Sequence, residues 1–163
     1  MDLKFRSFKT LYVLQCALAT GTVCVVLLLL DAIKNTTIIA SLGASAFIAF
    51  AMPHTRLSQP RFLIGGYLVG TLVGCLCYYA SELPLVDWAF WQANAGAIWG
   101  AIAVGLAIFL MVILNVEHPP AAGLALGFVL NEWDIFTVLV VILGIISLAV
   151  VKVLLKPVLI DLV

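Results

Sequence analysis

The chain has 163 residues, 65% hydrophobic and 10% charged, and its eight Lys and Arg residues balance its eight Asp and Glu residues. Soluble domains average roughly 45–50% apolar and about 25% charged residues, and small ones leave much of their surface in water, so this composition excludes an ordinary soluble domain. A lipid bilayer is the expected surrounding, and no nucleic-acid partner is expected.

The first ten residues, MDLKFRSFKT, interleave apolar with basic side chains. Such a segment suits the anionic cytoplasmic surface of a membrane. It does not resemble a cleavable signal peptide, because the apolar run behind it is long and no Ala-x-Ala-like site follows, and it is too short for an organelle transit peptide. We therefore expect a bacterial type of inner membrane.

Four long apolar runs lie at residues 11–30, 62–80, 96–114 and 135–155. A helix needs on the order of 20 residues to cross a hydrocarbon core of about 30 Å, so each run predicts a transmembrane helix. Two further apolar pieces are shorter and lie at residues 36–52 and 119–130. Each can either cross with a non-helical part or dip into the membrane and return.

The distribution of Lys and Arg favours six crossings, because short cytoplasmic loops collect basic residues. If all six pieces cross, only Lys34 lies outside. The other seven basic residues then share the cytoplasmic side: Lys4, Arg6, Lys9, Arg56, Arg61, Lys152 and Lys156. If both short pieces return, the split falls to five against three. We therefore predict a multi-pass protein with both termini in the cytoplasm.

The six pieces form two triplets of the order long, short, long, at about residues 11–80 and 96–155 of a single domain, 1–163. Three crossings per triplet turn the second upside down relative to the first, which is the inverted repeat of many secondary transporters. The predicted fold is thus an all-α polytopic membrane protein with four long helices and two short, interrupted segments. In such folds the short segments meet near the bilayer midplane and form the site.

The cysteines lie inside predicted helices, where a disulfide is implausible and a metal site would need other soft ligands. We interpret them as small packing residues: Cys16, Cys24, Cys75 and Cys77. The sequence contains no recognisable nucleophile–base pair, metal cluster or phosphate-binding loop. Neither enzyme activity nor a metal or cofactor is therefore expected.

Gly66, Gly70 and Gly74 recur at a spacing of four residues, as do Gly96 and Gly100. Such stripes let helix backbones approach closely. The close neighbour is either another helix of the same chain or a second subunit, in a homo-oligomer that packs through the first three glycines.

Residues 115–127, NVEHPPAAGLALG, interrupt the apolar pattern with charged and polar side chains and two prolines. The residue before a proline avoids the α conformation, so His118 and Pro119 should be extended, whereas Pro120 suits the first turn of a helix. A helix that starts inside a membrane leaves N–H groups unpaired, and an anion is their natural partner.

The predicted anion site combines this helix start with a similar small, donor-rich surface in the first triplet. The N–H groups expected to be free are those of Ala121, Ala122 and Gly123. The full set of predicted substrate-binding residues is His118, Pro119, Pro120, Ala121, Ala122, Gly123, Ser41, Gly43, Ala44 and Ser45.

Other interpretations of these residues remain open. The HPP tripeptide can simply make a turn between helices, with Glu117 and His118 solvated. Arg56 and Arg61 either attract anions or only fix the topology. His118, with an unperturbed pKa of about 6.5, can either change its charge with pH or only hydrogen-bond a neighbouring helix.

The sequence resembles the HPP family of integral membrane proteins, named for the tripeptide found at residues 118–120. The resemblance lies in ASLGASAFIAFAMPHTRLSQPRFLIGGYLVGTLVG, residues 40–74, and in EHPPAAGLAL, residues 117–126. The family is usually described with four transmembrane helices, which departs from six crossings. Characterised members resemble nitrite transporters of cyanobacterial and chloroplast membranes, so the resemblance implies a small monovalent anion as substrate, with nitrite expected first and nitrate, formate and chloride left open. Because the sequence shows neither a chloroplast transit peptide nor a fused regulatory domain, we expect a minimal bacterial member.

Three functions are consistent with this sequence. The first is an alternating-access nitrite transporter, which the inverted repeat favours. The second is a passive anion channel of the same architecture. The third is a non-transporting membrane subunit or scaffold.

Overall fold

The computed structural model describes residues 9–30, 36–83 and 89–162, and over these residues every regular element is a helix. The all-α prediction is therefore confirmed for this part of the chain. The six α-helices, which we number in chain order, are α1 (Lys9–Leu30), α2 (Thr36–Ala51), α3 (Pro60–Glu82), α4 (Ala89–Leu114), α5 (Pro119–Leu130) and α6 (Ile135–Leu155). A single 3₁₀ turn, Arg56–Ser58, connects α2 to α3. Most of the predicted surface segment at residues 1–10, and Lys34, lie outside the described residues.

Three of the helices are long and apolar enough to cross a membrane, at Pro60–Glu82, Asn94–Leu114 and Ile135–Leu155. They correspond to three of the four predicted long spans. Helix α1 has 22 residues, but side chains are described for only part of it, and the apolar stretch found there is Val13–Val25. Helices α2 and α5 are shorter, with 16 and 12 residues.

Local sequence explains several helix ends. Pro60 opens α3 after an extended Gln59, and the Asp134 carboxylate caps α6 by accepting a hydrogen bond from the Thr137 N–H at 2.8 Å. This bond is the main reason that the pKa of the Asp134 carboxyl lies below its ordinary value. Helix α4 ends where Asn115 adopts a left-handed conformation with φ of 56°, as asparagine tolerates at a helix C-terminus.

The prediction that the short segments are interrupted is wrong for both. Helix α2 is continuous from Thr36 to Ala51. It contains no proline, and Gly43 does not take a positive φ there. Helix α5 is also unbroken and begins at Pro119, one residue before the predicted start, after an extended His118. The irregular backbone therefore lies before α5 and not within it.

Helix α5 connects the two ends of the helix bundle. Before its first residue, Glu117 pairs with Arg56, which lies just before α3. Beyond its last residue, the Trp133 ring contacts the rings of Tyr78 and Tyr79, near the end of α3. The start and the end of α5 are therefore at opposite ends of α3.

The glycine stripe of α3 packs against α5 of the same chain. A Cβ atom added at Gly66 would lie 2.5 Å from His118 Cβ, and one at Gly74 would lie 2.7 Å from Phe128 Cβ. One at Gly70 would collide with the backbone carbonyl of Ala121. Because this face is occupied within the chain, it is not available to a second subunit, and the expected homo-oligomer loses the surface on which it rested.

We predict that positions 54 and 132 lie on opposite sides of the membrane. Both residues are exposed, and α3, α4 and α5 lie between them in the chain. In a variant that lacks the native cysteines, His54→Cys should react with an impermeant maleimide from the cytoplasm, and Glu132→Cys from outside. Labelling of both positions from one side would show that α5 does not cross, and would remove the basis for six crossings.

Candidate functional site

Three polar side chains from separate parts of the chain meet inside the helix bundle. The Ser45 hydroxyl of α2 lies 2.8 Å from the Tyr67 hydroxyl of α3 and 2.8 Å from Nε2 of His118, the residue before α5. All three residues are fully buried. We refer to Ser45, Tyr67 and His118 as the polar cluster.

The hydrogen-bond directions in the polar cluster follow from its donors. The Ser45 hydroxyl carries one proton, and it donates this proton to the Ser41 carbonyl at 3.0 Å, since a carbonyl can only accept. We assign the Tyr67 hydroxyl and Nε2–H of His118 as the donors to Ser45 Oγ, each at 2.8 Å. In this arrangement Nδ1 of His118 carries a lone pair.

The second ring nitrogen of His118 is unpaired. Nδ1 is buried and has no hydrogen-bond partner of normal geometry among the described residues, although the Leu57 backbone interacts with the imidazole. A buried polar atom without a partner costs about 1–3 kcal/mol. Such atoms in native proteins call for a functional or solvent explanation.

Small residues and an extended backbone hold His118 in place. Its φ of −143° and ψ of 96° are extended, as expected for a residue before proline. Gly66 lies directly beneath its side chain, and the Tyr67 ring centroid is 5.7 Å from that of the imidazole. A larger residue at Gly66 would occupy the space that the imidazole fills.

The start of α5 does not offer the free N–H groups that the sequence led us to expect. The first two helical residues are prolines and have no N–H to satisfy. The Ala121 N–H donates to the His118 carbonyl at 2.9 Å. Counted from the N-cap His118, the four positions whose N–H has no partner within the helix are residues 118–121, so Ala122 and Gly123 lie beyond them. The expectation of bare donors at Ala121, Ala122 and Gly123 is therefore wrong, because the double proline removes most of the unpaired donors.

The predicted residues of α2 also do not form a helix start, because they lie in the middle of an unbroken helix. Ser41 and Ser45 are buried and face α5, whereas Gly43 is exposed on the opposite side of α2 and Ala44 is exposed on its flank. The structure therefore brings only the two serines to His118 and Gly123. What they contribute is hydroxyl groups and not backbone N–H groups.

A row of hydroxyl residues continues from the polar cluster along α2. Thr37, Ser41 and Ser45 are spaced by four residues and so share one helix face. A Cβ at Gly123 would lie 3.4 Å from Ser41 Oγ, and one at Gly127 would lie 3.3 Å from Thr37 Cβ. We call these three residues the hydroxyl stripe. Thr37 was missed by the sequence analysis, although the spacing of four residues could have identified it.

A cavity of about 280 Å³ adjoins the polar cluster. Its lining is apolar apart from Glu117 and His118, and it consists of Ile108, Met111, Val112, Glu117, His118, Pro119 and Ala122. Three predicted site residues, His118, Pro119 and Ala122, therefore line it. Pro120 is partly buried, and Ala121 is fully buried against α3.

Two arginines fasten the segment before α5. The Arg56 guanidinium bonds the Asn115 side chain, lies 3.3 Å from Glu117 and sits over the Phe62 ring. Arg61 donates to the Leu114 carbonyl at 3.4 Å. Arg56 thus ties the segment before α5 to the α2–α3 connection, and Arg61 ties the end of α4 to the start of α3.

The position of His118 contradicts the interpretation that HPP is a solvated turn, because the imidazole is fully buried.

The polar cluster lies inside the helix bundle. Ser45 lies six residues before the end of α2, and Gly66 lies six residues after the start of α3. At 1.5 Å per residue this places the polar cluster about 9 Å inside those helix ends. The polar cluster therefore lies well inside the bundle, and its position near the bilayer midplane stays a prediction.

The cysteines do not take part in this site. In the described part of the chain, no group of three or more His, Cys, Asp or Glu side chains could hold a metal ion. All four cysteines are free; two are exposed, one is partly buried and one is buried, in the order Cys16, Cys24, Cys75 and Cys77.

Comparison with known proteins places this arrangement in a family. The family model for the HPP transmembrane region matches residues 5–159. A transmembrane protein of Dictyostelium discoideum is 38% identical over 97 residues, which cover 60% of this chain and 31% of that protein. A second transmembrane protein of that organism is 33% identical over 95 residues, which cover 58% of this chain and 28% of the relative. The matched segment is thus less than a third of either relative, and no solved structure matches the chain.

Proposed function

The chain belongs to the HPP transmembrane family, and on that premise we propose that it transports a small monovalent anion, most directly nitrite, across a bacterial-type inner membrane. The substrate binds at the polar cluster and moves along the hydroxyl stripe. The choice of nitrite as substrate rests on the resemblance of the HPP motif to nitrite transporters. The chemistry of the site independently favours a small anion.

The observation that carries this proposal is His118, a fully buried imidazole that lines a cavity and has one nitrogen unpaired. Ionisable residues inside membranes are costly, and they mark substrate or ion pathways by default. A structural histidine would be expected to pair both ring nitrogens. Here Nε2 contacts Ser45, while Nδ1 has no hydrogen-bond partner of normal geometry among the described residues.

The hydroxyl stripe supports a path away from the cluster. Its hydroxyls carry no charge, so they can bond an anion without holding it tightly, as a conduction path requires. The opposing residues Gly123 and Gly127 let α5 pack closely on α2, since an added Cβ would lie 3.4 Å from Ser41 Oγ at Gly123 and 3.2 Å from Ile38 at Gly127. The two helices must therefore move apart for an anion to pass. In the resting structure the Ser41 hydroxyl donates to the Thr37 carbonyl at 3.1 Å, and it must rotate from this bond to contact an anion.

We also propose that the two halves of the chain work as an inverted repeat. The helices have 22, 16 and 23 residues in the first half and 26, 12 and 21 in the second. The shortest helix of each half, α2 and α5, contributes to the candidate site. This pattern favours alternating access, in which one half moves against the other around a fixed site.

Uptake of nitrite into liposomes that contain the purified protein tests the proposal, with nitrate, formate and chloride as competitors. We expect uptake above that of protein-free liposomes, saturating with nitrite concentration. Uptake that rises without saturation would identify a passive channel. If none of these anions is taken up, transport is contradicted and the chain is better interpreted as a membrane scaffold.

A variant pair connects this uptake to the site. Ser45→Ala removes the hydroxyl that orients His118 and is expected to reduce uptake by roughly tenfold, because a buried imidazole nitrogen left without its partner costs about 1–3 kcal/mol. Ser147→Ala is the matched control, since Ser147 is exposed on α6. Equal uptake by both variants would show that transport does not depend on the polar cluster.

A further inference from the structure

We infer that the anion crosses together with one proton, which His118 holds, so that each transport cycle moves no net charge. This inference rests on the proposed anion transport and specifies its coupling. It follows from the charges and donors around the polar cluster.

The cavity beside His118 offers an anion no free positive charge. Its α4 side consists of Ile108, Met111 and Val112, which are apolar. From α2 and α3, the groups that face the imidazole are the neutral hydroxyls of Ser45 and Tyr67. No Lys or Arg lines this cavity within the described part of the chain.

The charged groups nearest in sequence are already paired. Glu117 precedes His118 and lies 3.3 Å from the Arg56 guanidinium. Arg61 is engaged with the Leu114 carbonyl. A lone ion moved out of water costs several kcal/mol in an apolar protein interior. An anion in this cavity therefore needs a positive charge that the resting site lacks.

His118 can supply that charge by binding a proton. Nε2–H already donates to Ser45 Oγ, so the incoming proton binds the lone pair of the buried, unpaired Nδ1. The imidazolium then keeps its bond to Ser45 and places a positive charge at the cavity that His118 lines. Ser45 continues to donate to the Ser41 carbonyl, and Tyr67 continues to donate to Ser45. The proton and the anion arrive from one side and leave to the other, so proton and charge both balance.

The test uses liposomes that contain the purified protein, a trapped pH dye and a membrane potential set by potassium and valinomycin. Nitrite and nitrate are supplied in separate experiments. Nitrite in its protonated form, nitrous acid, crosses bilayers without protein and so gives a background, whereas nitrate does not cross measurably. Protein-free liposomes give the background. We expect one proton to enter with each transported anion, and uptake to respond to the pH gradient and not to the potential.

Replacement of His118 should remove this coupling. His118→Gln retains an amide donor for Ser45 but cannot bind a proton at neutral pH, so anion-driven proton entry should be lost. His54→Gln is the matched control, because His54 is the other histidine of the chain and is exposed, beside Asp161. The control should keep the proton-to-anion ratio of the unmodified protein.

The outcomes separate the coupling from the function. Anion uptake that follows the membrane potential, without proton entry, would overturn the coupling and leave transport intact. Absence of anion uptake in the unmodified protein would instead overturn the proposed function. If His118→Gln fails to fold, the ratio measured on the unmodified protein still decides the inference.

Discussion

Gly70→Ala is expected to destabilise the protein by about 1–3 kcal/mol, the usual cost of overpacking a closely packed interior. A Cβ at this position would collide with the backbone carbonyl of Ala121. A backbone atom cannot rotate away as a flexible side chain can, so α3 and α5 must separate. In a helix without such a contact the same change is favourable by roughly 0.5–1 kcal/mol, because alanine is the better helix former. The contact therefore reverses the sign of the effect.

Gly105→Ala is the control for the direction of this change in stability. Gly105 lies in α4, is exposed, and would have no atom within 4 Å of an added Cβ. We expect this variant to be neutral or slightly stabilised. Thermal unfolding in detergent, followed by tryptophan fluorescence, compares the two. Equal midpoints for both variants would show that α3 and α5 are not in backbone contact at Gly70.

The contact at Gly70 also bears on the site. Ala121 lies three residues after His118 and donates its N–H to the His118 carbonyl. Separation of α3 from α5 would therefore move the imidazole relative to Ser45 and Tyr67. Uptake should fall further in Gly70→Ala than the loss of folded protein explains, and normalising uptake to folded protein measures this difference.

The helices of this chain could largely be predicted from apolar length and proline position. The predicted runs at residues 62–80 and 135–155 correspond to Pro60–Glu82 and Ile135–Leu155. The HPP tripeptide placed the start of α5 within one residue, because proline restricts both its own backbone and that of its predecessor. These effects are local and need no knowledge of the fold.

The partners of the glycine stripes and of His118 could not be predicted, because they depend on which helices are neighbours. A spacing of four residues identifies a face that permits close approach, but not what approaches it. Tyr67 lies between Gly66 and Gly70 in an otherwise apolar run, and only the structure shows its hydroxyl 2.8 Å from Ser45. A polar residue within a glycine stripe was the one available signal.

The end of the bundle at which α2 and α6 finish shows the same limit. Lys152 was counted as a basic residue of the cytoplasmic side, yet it is only 3% exposed, since the long aliphatic stem of lysine can pack among apolar groups. Gln15 lies inside an apolar run and was not singled out. Its amide donates to the Phe50 and Ile160 carbonyls at 2.8 and 2.9 Å. It thereby ties α1 to the end of α2 and to the C-terminal residues.

Gly123→Leu is expected to reduce anion uptake to the level of protein-free liposomes while the protein remains folded. An added Cβ at Gly123 would be in ordinary contact with Ser41 Oγ at 3.4 Å, so alanine fits and the remaining atoms of leucine enter the space beside the hydroxyl stripe. Gly123 is only partly buried, which gives the leucine side chain room to rotate and spares the fold. Gly123→Ala should retain most of the uptake.

Gly43→Leu is the control for the loss of uptake expected in Gly123→Leu. The structure changes the expected result of this substitution. The sequence placed Gly43 in the site together with Ser41, but Gly43 faces away from α5 and would have no atom within 4 Å of an added Cβ. Leucine there should extend into lipid, favour the helix and leave uptake unchanged. If Gly43→Leu blocks uptake and Gly123→Leu does not, the substrate moves along the outer face of α2 and the hydroxyl stripe is not its path. If only Gly123→Leu blocks, a small residue beside Ser41 is required for transport, because the anion must pass between α2 and α5.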